Sequence, residues 1–412
     1  MNNLFKIALR NLLRYRRRTL LTASLITLGV VFVLVFVAVT GSFKAMMIAQ
    51  NTDAMLGHLQ IHRKGYVAAI DNLPLNLNLK GEAVKKLEKI LTEQPGIASW
   101  SPRIKFGAMF SNFVETTNIR LNGVEPQREL LTVPLLAERI VDGSRTLERG
   151  QLWLPELLAK GMKVKVGDPV VVVATNQDGS VNGKQLVVGG IIESATGPGG
   201  RDGYLHIEDA AEILRLQGRE ISEVAVRLDD FRRLSEVSQL LSGRLGQELN
   251  KEQKPIFELH TWEKLSPFFN IARMIDVMTL FIKLMLIAIV LVSIMNVMIM
   301  AVYERIREIG TMAAIGTLPS KILALFMIEG FSLGVLGAAL GGILGVVLVW
   351  GLNLAEITYN FGRQQGMILQ ASIDFRELVM ISIIVIVGAV LASLQPAFKA
   401  ARLDPIKALR HV

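Results

Sequence analysis

Four runs of apolar residues govern what this chain can become. Residues 20–43 and 378–394 carry no charge, residues 275–302 carry only Asp276 and Lys283, and residues 322–354 carry only Glu329. Roughly 20 apolar residues in a helix cross the roughly 30 Å of hydrocarbon in a bilayer, and these runs are of that order. Lipid offers no partner to backbone N–H and C=O groups, so such runs must satisfy them internally as helices. The sequence therefore predicts an integral membrane protein with four transmembrane α-helices, at 20–43, 275–302, 322–354 and 377–395. A large α+β extracytoplasmic domain at 44–274 falls between the first two. Residues 1–19 form an amphipathic N-terminal helix, 303–321 a short charged helix, 355–376 a short external loop and 396–412 a tail.

Charge sets the expected orientation. The net +9 is not spread evenly: residues 1–19 hold six basic residues and no acid, while residues 47–272 hold 27 basic and 28 acidic residues. The excess lies at 1–19, 303–321 and 396–412. That is a topology signal and not a nucleic-acid footprint, so no nucleic-acid partner is expected. By the positive-inside bias these three segments are cytoplasmic and the domain at 44–274 is outside, with both termini inside a bacterial inner membrane. The basic start followed by an apolar run resembles a secretory signal, but the run is too long for a signal core and reads as a retained anchor. Leu4, Phe5, Ile7, Ala8, Leu9, Leu12 and Leu13, interleaved with cations, suit a helix lying on the inner leaflet and touching membrane lipid.

The domain at 44–274 is long enough for one large or two small folded units. Strands are expected at 59–62, at 98–124 with an interruption at Gly107, at 164–166 and 170–174 around Gly167-Asp168-Pro169, and at 186–192, 222–228 and 256–259. Helices are expected at 81–93, 208–217 and 231–249, with a loop at 197–203. Catalytic chemistry is not evident. The chain has no cysteine, so thiolate catalysis and cysteine metal sites are excluded. Its five histidines show no metal spacing, and His58 and His62 read as surface positions on one strand. Residues 179–184, ending in Gly183-Lys184, lack the following Ser or Thr of a phosphate loop and read as a hairpin turn. No catalytic, metal or cofactor residue is assigned, and the chain is expected not to be an enzyme.

Two features point to function. Residues 303–320 pack Glu304, Arg305, Arg307 and Glu308 into five positions between two spans, then turn apolar and end near Gly316 and Pro319. Too charged to enter lipid and too short to fold alone, this helix suits docking to a soluble partner. The third span carries Gly330, Gly334, Gly337, Gly341, Gly342 and Gly345. Small residues four apart let helices approach closely, within one subunit or between two. Glu329, just ahead of them, is a membrane-embedded acid that pairs with an arginine of 303–321, snorkels to the interface or relays protons.

Tyr303-Glu304-Arg305-Ile306-Arg307-Glu308-Ile309-Gly310, followed by Ala313-Ala314-Ile315-Gly316, resembles the ER-x-REIG-x-x-x-A-x-G segment of FtsX-like ABC transporter permeases. Residues 396–410, PAFKAARLDPIKALR, resemble that family's closing segment, with Phe398 at a position often basic. Gly57 to His62 and Val166-Gly167-Asp168 are similar to its extracytoplasmic domain. The resemblance implies a permease subunit of the MacB or LolC–LolE type without a fused ATPase, paired with an ABC ATPase subunit and a second permease copy as a homo- or heterodimer. ATP and Mg²⁺ would then sit on the partner. Glu304, Arg305, Arg307, Glu308, Ile309, Gly310, Ala313 and Gly316 would form the ATPase-coupling helix, with Met312 and Ile315 adding apolar anchorage. Work would be lipoprotein or lipid release or substrate export, involving a periplasmic adaptor or lipoprotein. The runner-up is an FtsX-like scaffold that transmits ATPase motion to cell-wall hydrolases without transport.

Overall fold

The computed structural model describes residues 2–195, 201–361, 364–404 and 408. Its helices are α1 (Asn2–Arg14), α2 (Arg16–Asn51), α3 (Gly81–Glu93), α4 (Pro126–Thr132), α5 (Glu156–Gly161), α6 (Ile207–Ile213), α7 (Leu234–Gly246), α8 (Trp262–Leu265), α9 (Phe268–Glu304), α10 (Ile306–Ala314), α11 (Pro319–Leu354) and α12 (Phe375–Ala401). Its strands are β1 (Leu59–Arg63), β2 (Ile97–Ser111), β3 (Thr116–Val124), β4 (Ile140–Gly143), β5 (Gln151–Pro155), β6 (Pro169–Thr175), β7 (Val181–Ile192), β8 (Gly203–His206), β9 (Glu223–Leu228), β10 (Phe257–Thr261), β11 (Thr358–Phe361) and β12 (Gln364–Ile368). The chain divides into a helical unit, residues 1–45, 273–359 and 366–412, and a sheet unit, residues 46–272 with 360–365.

In the helical unit, among the described residues, four helices are long and apolar enough to cross a membrane. They pack around a core to which α1 and α10 also contribute, through Leu12 and Ile309 beside Ile26, Ile294, Phe326 and Ile381. The glycines of α11 serve two neighbours. A Cβ at Gly330 or Gly334 would collide with Ser393 or Ala389 of α12. Gly337, Gly341 and Gly345 instead face Ile26, Val30 and Leu34 of α2, and a Cβ would lie 2.6 Å from Val30 Cβ at Gly341 and 2.8 Å from Leu34 Cδ1 at Gly345. Both ladders advance by four residues, so each branched side chain of α2 meets one glycine of α11 over successive turns. Gly341→Val is expected to destabilise the unit by about 1–3 kcal/mol through overpacking. Gly351 has nothing within 4 Å of its Cβ position, and Gly351→Val in detergent-solubilised protein should melt within a degree or two of wild type.

Charges near the ends of the long helices are paired. Lys44 Nζ lies 2.6 Å from Asp276 Oδ1, and Lys283 Nζ lies 3.6 Å from Glu377 Oε1. Residues expected as a plain loop at 355–376 hold the two-stranded β11–β12 sheet.

The sheet unit is built on a ten-stranded mixed sheet in the order β10-β1-β9-β2-β3-β8-β5-β7-β4, with β6 joining β2 and β7. The pairs β3–β8 and β5–β7 are parallel and the others antiparallel. Gly107 does not interrupt β2; it pairs with Arg120 inside the β2–β3 hairpin. Residues 164–166 are not a strand, and pairing starts at Pro169, which registers with Val187. The hairpin turn between β6 and β7 closes at 176–180, where Gly179 takes a positive φ of 82°. Of the loop at 197–203, residues 196–200 lie outside the described residues.

His58 and His62 are buried, not on the surface. Pairing with β10 and β9 makes β1 an interior strand, and its faces are covered by side chains: Phe231 stands edge-on to His58 at 5.0 Å between ring centres, and Tyr66 and His260 flank His62. His58 Nε2 lies 3.2 Å from Asp53 Oδ1, while its Nδ1 accepts from Leu228 N at 3.0 Å. His62 Nε2 lies 3.3 Å from Glu223 Oε2, its ring stacked on Tyr66 at 5.1 Å. Among the described residues no group of three or more His, Cys, Asp and Glu side chains could hold a metal ion.

Candidate functional site

The charged segment between the second and third spans is held by three local devices. Helix α9 ends at Glu304, and Arg305 leaves helical geometry with φ −114° and ψ 18° before α10 begins. This single non-helical residue restarts the chain in a new direction and caps α10, with Ile309 N donating to Arg305 O at 2.9 Å. At the other end Gly316 takes φ 87°, a conformation that disfavours any side chain. Gly316 N donates to Ala313 O at 3.0 Å and Thr317 N to Met312 O at 3.0 Å, the paired bonds of a Schellman ending. Pro319 then opens α11 at its first turn, where its missing N–H costs nothing.

The direction change aims Arg305 inward. It is 3% exposed, and its Nη1 donates to Glu329 Oε1 at 2.8 Å. Glu329 is fully buried in α11, and Oε1 also accepts from Asn11 Nδ2 of α1 at 3.0 Å. Arg305 Nε donates to Glu308 Oε2 at 3.0 Å, and Tyr15 Oη donates to Glu308 Oε1 at 3.2 Å. Arg14 Nη1 stands 3.7 Å from the same Glu308 oxygen. The guanidinium lies 5.6 Å and 5.8 Å from the ring centres of Tyr15 and Phe326. Burial works against the Arg305 charge, but Glu329 and Glu308 outweigh it and hold the group above its usual range. For Glu308 burial raises the carboxyl pKa, and the bonds from Arg305 and Tyr15 more than reverse this, holding it below the usual carboxylate range.

This network explains Glu329: the acid in the third span has an arginine counterion. It also ties α1, α10 and α11 into one assembly. Ala8, Asn11, Leu12 and Tyr15 follow helical spacing and share the face of α1 turned to the bundle. Asn11, Arg14 and Tyr15 were not anticipated as site residues. Their signal was a polar amide and a phenol placed among the apolar positions of the N-terminal helix.

The residues of 303–318 divide into two sides. Arg305, Ile309 and Gly310 are buried, and a Cβ at Gly310 would lie 2.7 Å from Ala408 Cβ of the tail. Met312 and Ala313 are half-buried against the bundle core. Tyr303, Glu304, Arg307, Thr311, Ala314, Ile315, Gly316 and Leu318 are exposed, and Ile315 at 78% and Leu318 at 59% present apolar surface to solvent. Glu308 is intermediate. Of the family-like tail, residues 405–407 and 409–412 lie outside the described residues.

The MacB-like periplasmic core domain family matches residues 19–243, and the FtsX-like permease C-terminal family matches residues 280–405. The lipoprotein-releasing system transmembrane protein LolC of Xylella fastidiosa is 26% identical over 340 residues, 77% of this chain and 78% of that protein. LolC of Neisseria meningitidis is 23% identical over 95% of this chain and 94% of that protein. The macrolide export ATP-binding/permease protein MacB of Nitrobacter winogradskyi is 23% identical over 95% of this chain, which spans 58% of the relative. Four bilayer-length helices, the sheet unit inserted after the first of them and the ER-x-REIG turn before the third belong together: this chain is a member of the FtsX-like ABC transporter permease family, with a MacB-like periplasmic core domain.

Proposed function

We propose that this permease couples ATP hydrolysis on a separate ABC ATPase subunit to motion of its sheet unit, in release of a lipoprotein or lipid from the membrane. The observation that carries this is the two-sided α10. One side is bolted to the bundle through Arg305, Glu329 and Asn11, while the other presents Glu304, Arg307, Ile315 and Leu318 to solvent. A helix rigid behind and amphipathic in front can be pushed by a docked partner without deforming. The mixed charges supply charge-assisted hydrogen bonds and the exposed isoleucine an apolar anchor. Gly310, Ala313 and Gly316 act by allowing α10 to sit close and turn, and not by touching the partner.

In this reading the α10 end of the bundle and both termini are cytoplasmic, following the concentration of cations there. ATP and Mg²⁺ bind the partner, and two permease copies form the working dimer. The names of the LolC relatives favour lipoprotein release over scaffolding.

The test is copurification of full-length permease with its ATPase. Ile315→Asp combined with Arg307→Glu should reduce recovery at least tenfold while leaving the permease melting temperature unchanged. Full recovery would show that α10 is not the docking element.

A further inference from the structure

The sheet unit contains a cleft of about 730 Å³ that the transport reading does not use. It lies where residues 76–86 meet the 249–256 turn. Its walls carry Arg63, Lys64, Lys80, Lys86, Lys251 and Lys254, and Glu82 is the only acid among the lining residues. The unit as a whole is close to neutral, so this concentration of cations is local. Some of the charge is already held: Lys86 Nζ lies 2.8 Å from Glu248 Oε2, Lys254 Nζ lies 3.2 Å from Glu252 Oε2, and Arg63 Nη1 donates to Asn76 O at 3.1 Å. The ammonium groups of Lys64, Lys80 and Lys251 have no ion-pair partner among the described residues.

Two further features converge on the cleft. The 13-residue helix α3 starts in its lining, and the Lys80 side chain at its N-cap makes no capping hydrogen bond. First-turn N–H groups have no acceptor within a helix, and the aligned peptide dipoles favour an anion at that end. Independently, Asn78 lines the cleft while being only 1% exposed. Its Oδ1 accepts from Ser222 Oγ at 3.0 Å, but its Nδ2 has no hydrogen-bond partner among the described residues. The backbone beside it is clamped by Leu79 N to Ile221 O at 2.8 Å and Ile221 N to Leu79 O at 3.0 Å. The amide is thus fixed in place with its donor uncommitted. A buried donor left without an acceptor is costly, and a ligand oxygen would relieve it.

We propose that this cleft binds a phosphate-bearing anion. A phosphate supplies several oxygens for the Asn78 amide and the α3 N-terminus at once, and more than one negative charge for the three uncommitted lysines. A single carboxylate would satisfy only part of this set. The ligand is either a phospholipid headgroup or a soluble phosphate ester, and the chemistry is shared.

The experiment uses full-length protein in phosphatidylcholine nanodiscs, titrated calorimetrically with pyrophosphate and with dihexanoyl phosphatidic acid. Saturable binding of at least one probe is expected, weakened tenfold or more in Lys64→Gln/Lys251→Gln and several-fold in Asn78→Ala. Because Asn78→Ala also removes the acceptor of Ser222, the exposed lysine pair is the deciding variant, with its melting temperature confirming an intact fold. Tenfold tighter binding of the phosphatidic acid identifies a lipid headgroup; equal or tighter binding of pyrophosphate identifies a soluble ester. No saturable binding of either probe, or binding by the lysine variant at wild-type affinity, overturns the proposal.

Discussion

Arg305→Met is expected to destabilise the helical unit by about 3–5 kcal/mol, the usual cost of stranding one member of a buried ion pair. Glu329 is fully buried, and its Oε2 has no hydrogen-bond partner among the described residues even with Arg305 present. Once the guanidinium is gone, only the Asn11 amide remains to hold the carboxylate. The same substitution removes the Glu308 contact and so loosens Tyr15 and α1 together. The double variant Arg305→Met/Glu329→Met should recover much of the loss, because apolar residues of similar volume replace a buried pair at little net cost. Thermal unfolding of the detergent-solubilised single and double variants gives the coupling directly. A loss below about 1 kcal/mol in the single variant would mean that the pair behaves like a solvated surface bridge. Under the proposed coupling role, Arg305→Met is expected to leave ATPase copurification intact while lowering the ATPase-driven response of the permease.

What the sequence made legible follows from how local each signal is. The four spans were readable because hydrophobic burial in lipid depends on composition alone, as residues 20–43 and 322–354 show. The helix at 81–93 was readable because Val84, Leu87 and Leu91 repeat at helical spacing and are the positions buried. The Glu329–Arg305 pair was half readable. An acid in an apolar run demands a counterion, but only the non-helical turn at Arg305 decides which arginine faces inward. Asn11 and Tyr15 stood out only as polar residues among apolar positions; their partners were not readable, since they depend on the packing of α1 against the bundle. The same limit hid strands β4, β5 and β8, short segments whose identity comes from partners far away in the chain, such as Trp153 opposite Tyr204. It also made His58 and His62 look exposed, because alternation along β1 cannot reveal that Phe231, Tyr66 and Glu223, distant or looped back in the chain, cover them.

The buried charges of the sheet unit carry the second large effect. Arg103 of β2 is held by Glu129 of α4, with Nη2 2.7 Å from Oε1, and by Glu223 of β9, with Nη1 3.1 Å from Oε1. Lys105 Nζ stands 3.3 Å from the same Glu223 oxygen, and His62 meets the other. Burial raises the Glu223 carboxyl pKa, but Lys105, the His62 hydrogen bond and Arg103 together hold it well below the usual carboxylate range. Glu223→Leu therefore leaves Arg103 and Lys105 short of a counterion between β2 and β9 and is expected to cost about 3–5 kcal/mol. Acid should act in the same direction. A carboxyl depressed in the folded state contributes stability that is present above its unfolded value, about 4.3, and is lost as pH falls toward the folded value. Wild-type protein should thus melt at nearly constant temperature from pH 7 to about pH 5 and progressively lower below that. Glu223→Gln should start from a lower melting temperature and fall less steeply with acid, because the group that takes up the proton is gone. Tryptophan fluorescence can follow this unit, since Trp153 lies buried in its core. Parallel acid slopes for Glu223→Gln and wild type would assign the acid sensitivity to carboxylates other than Glu223.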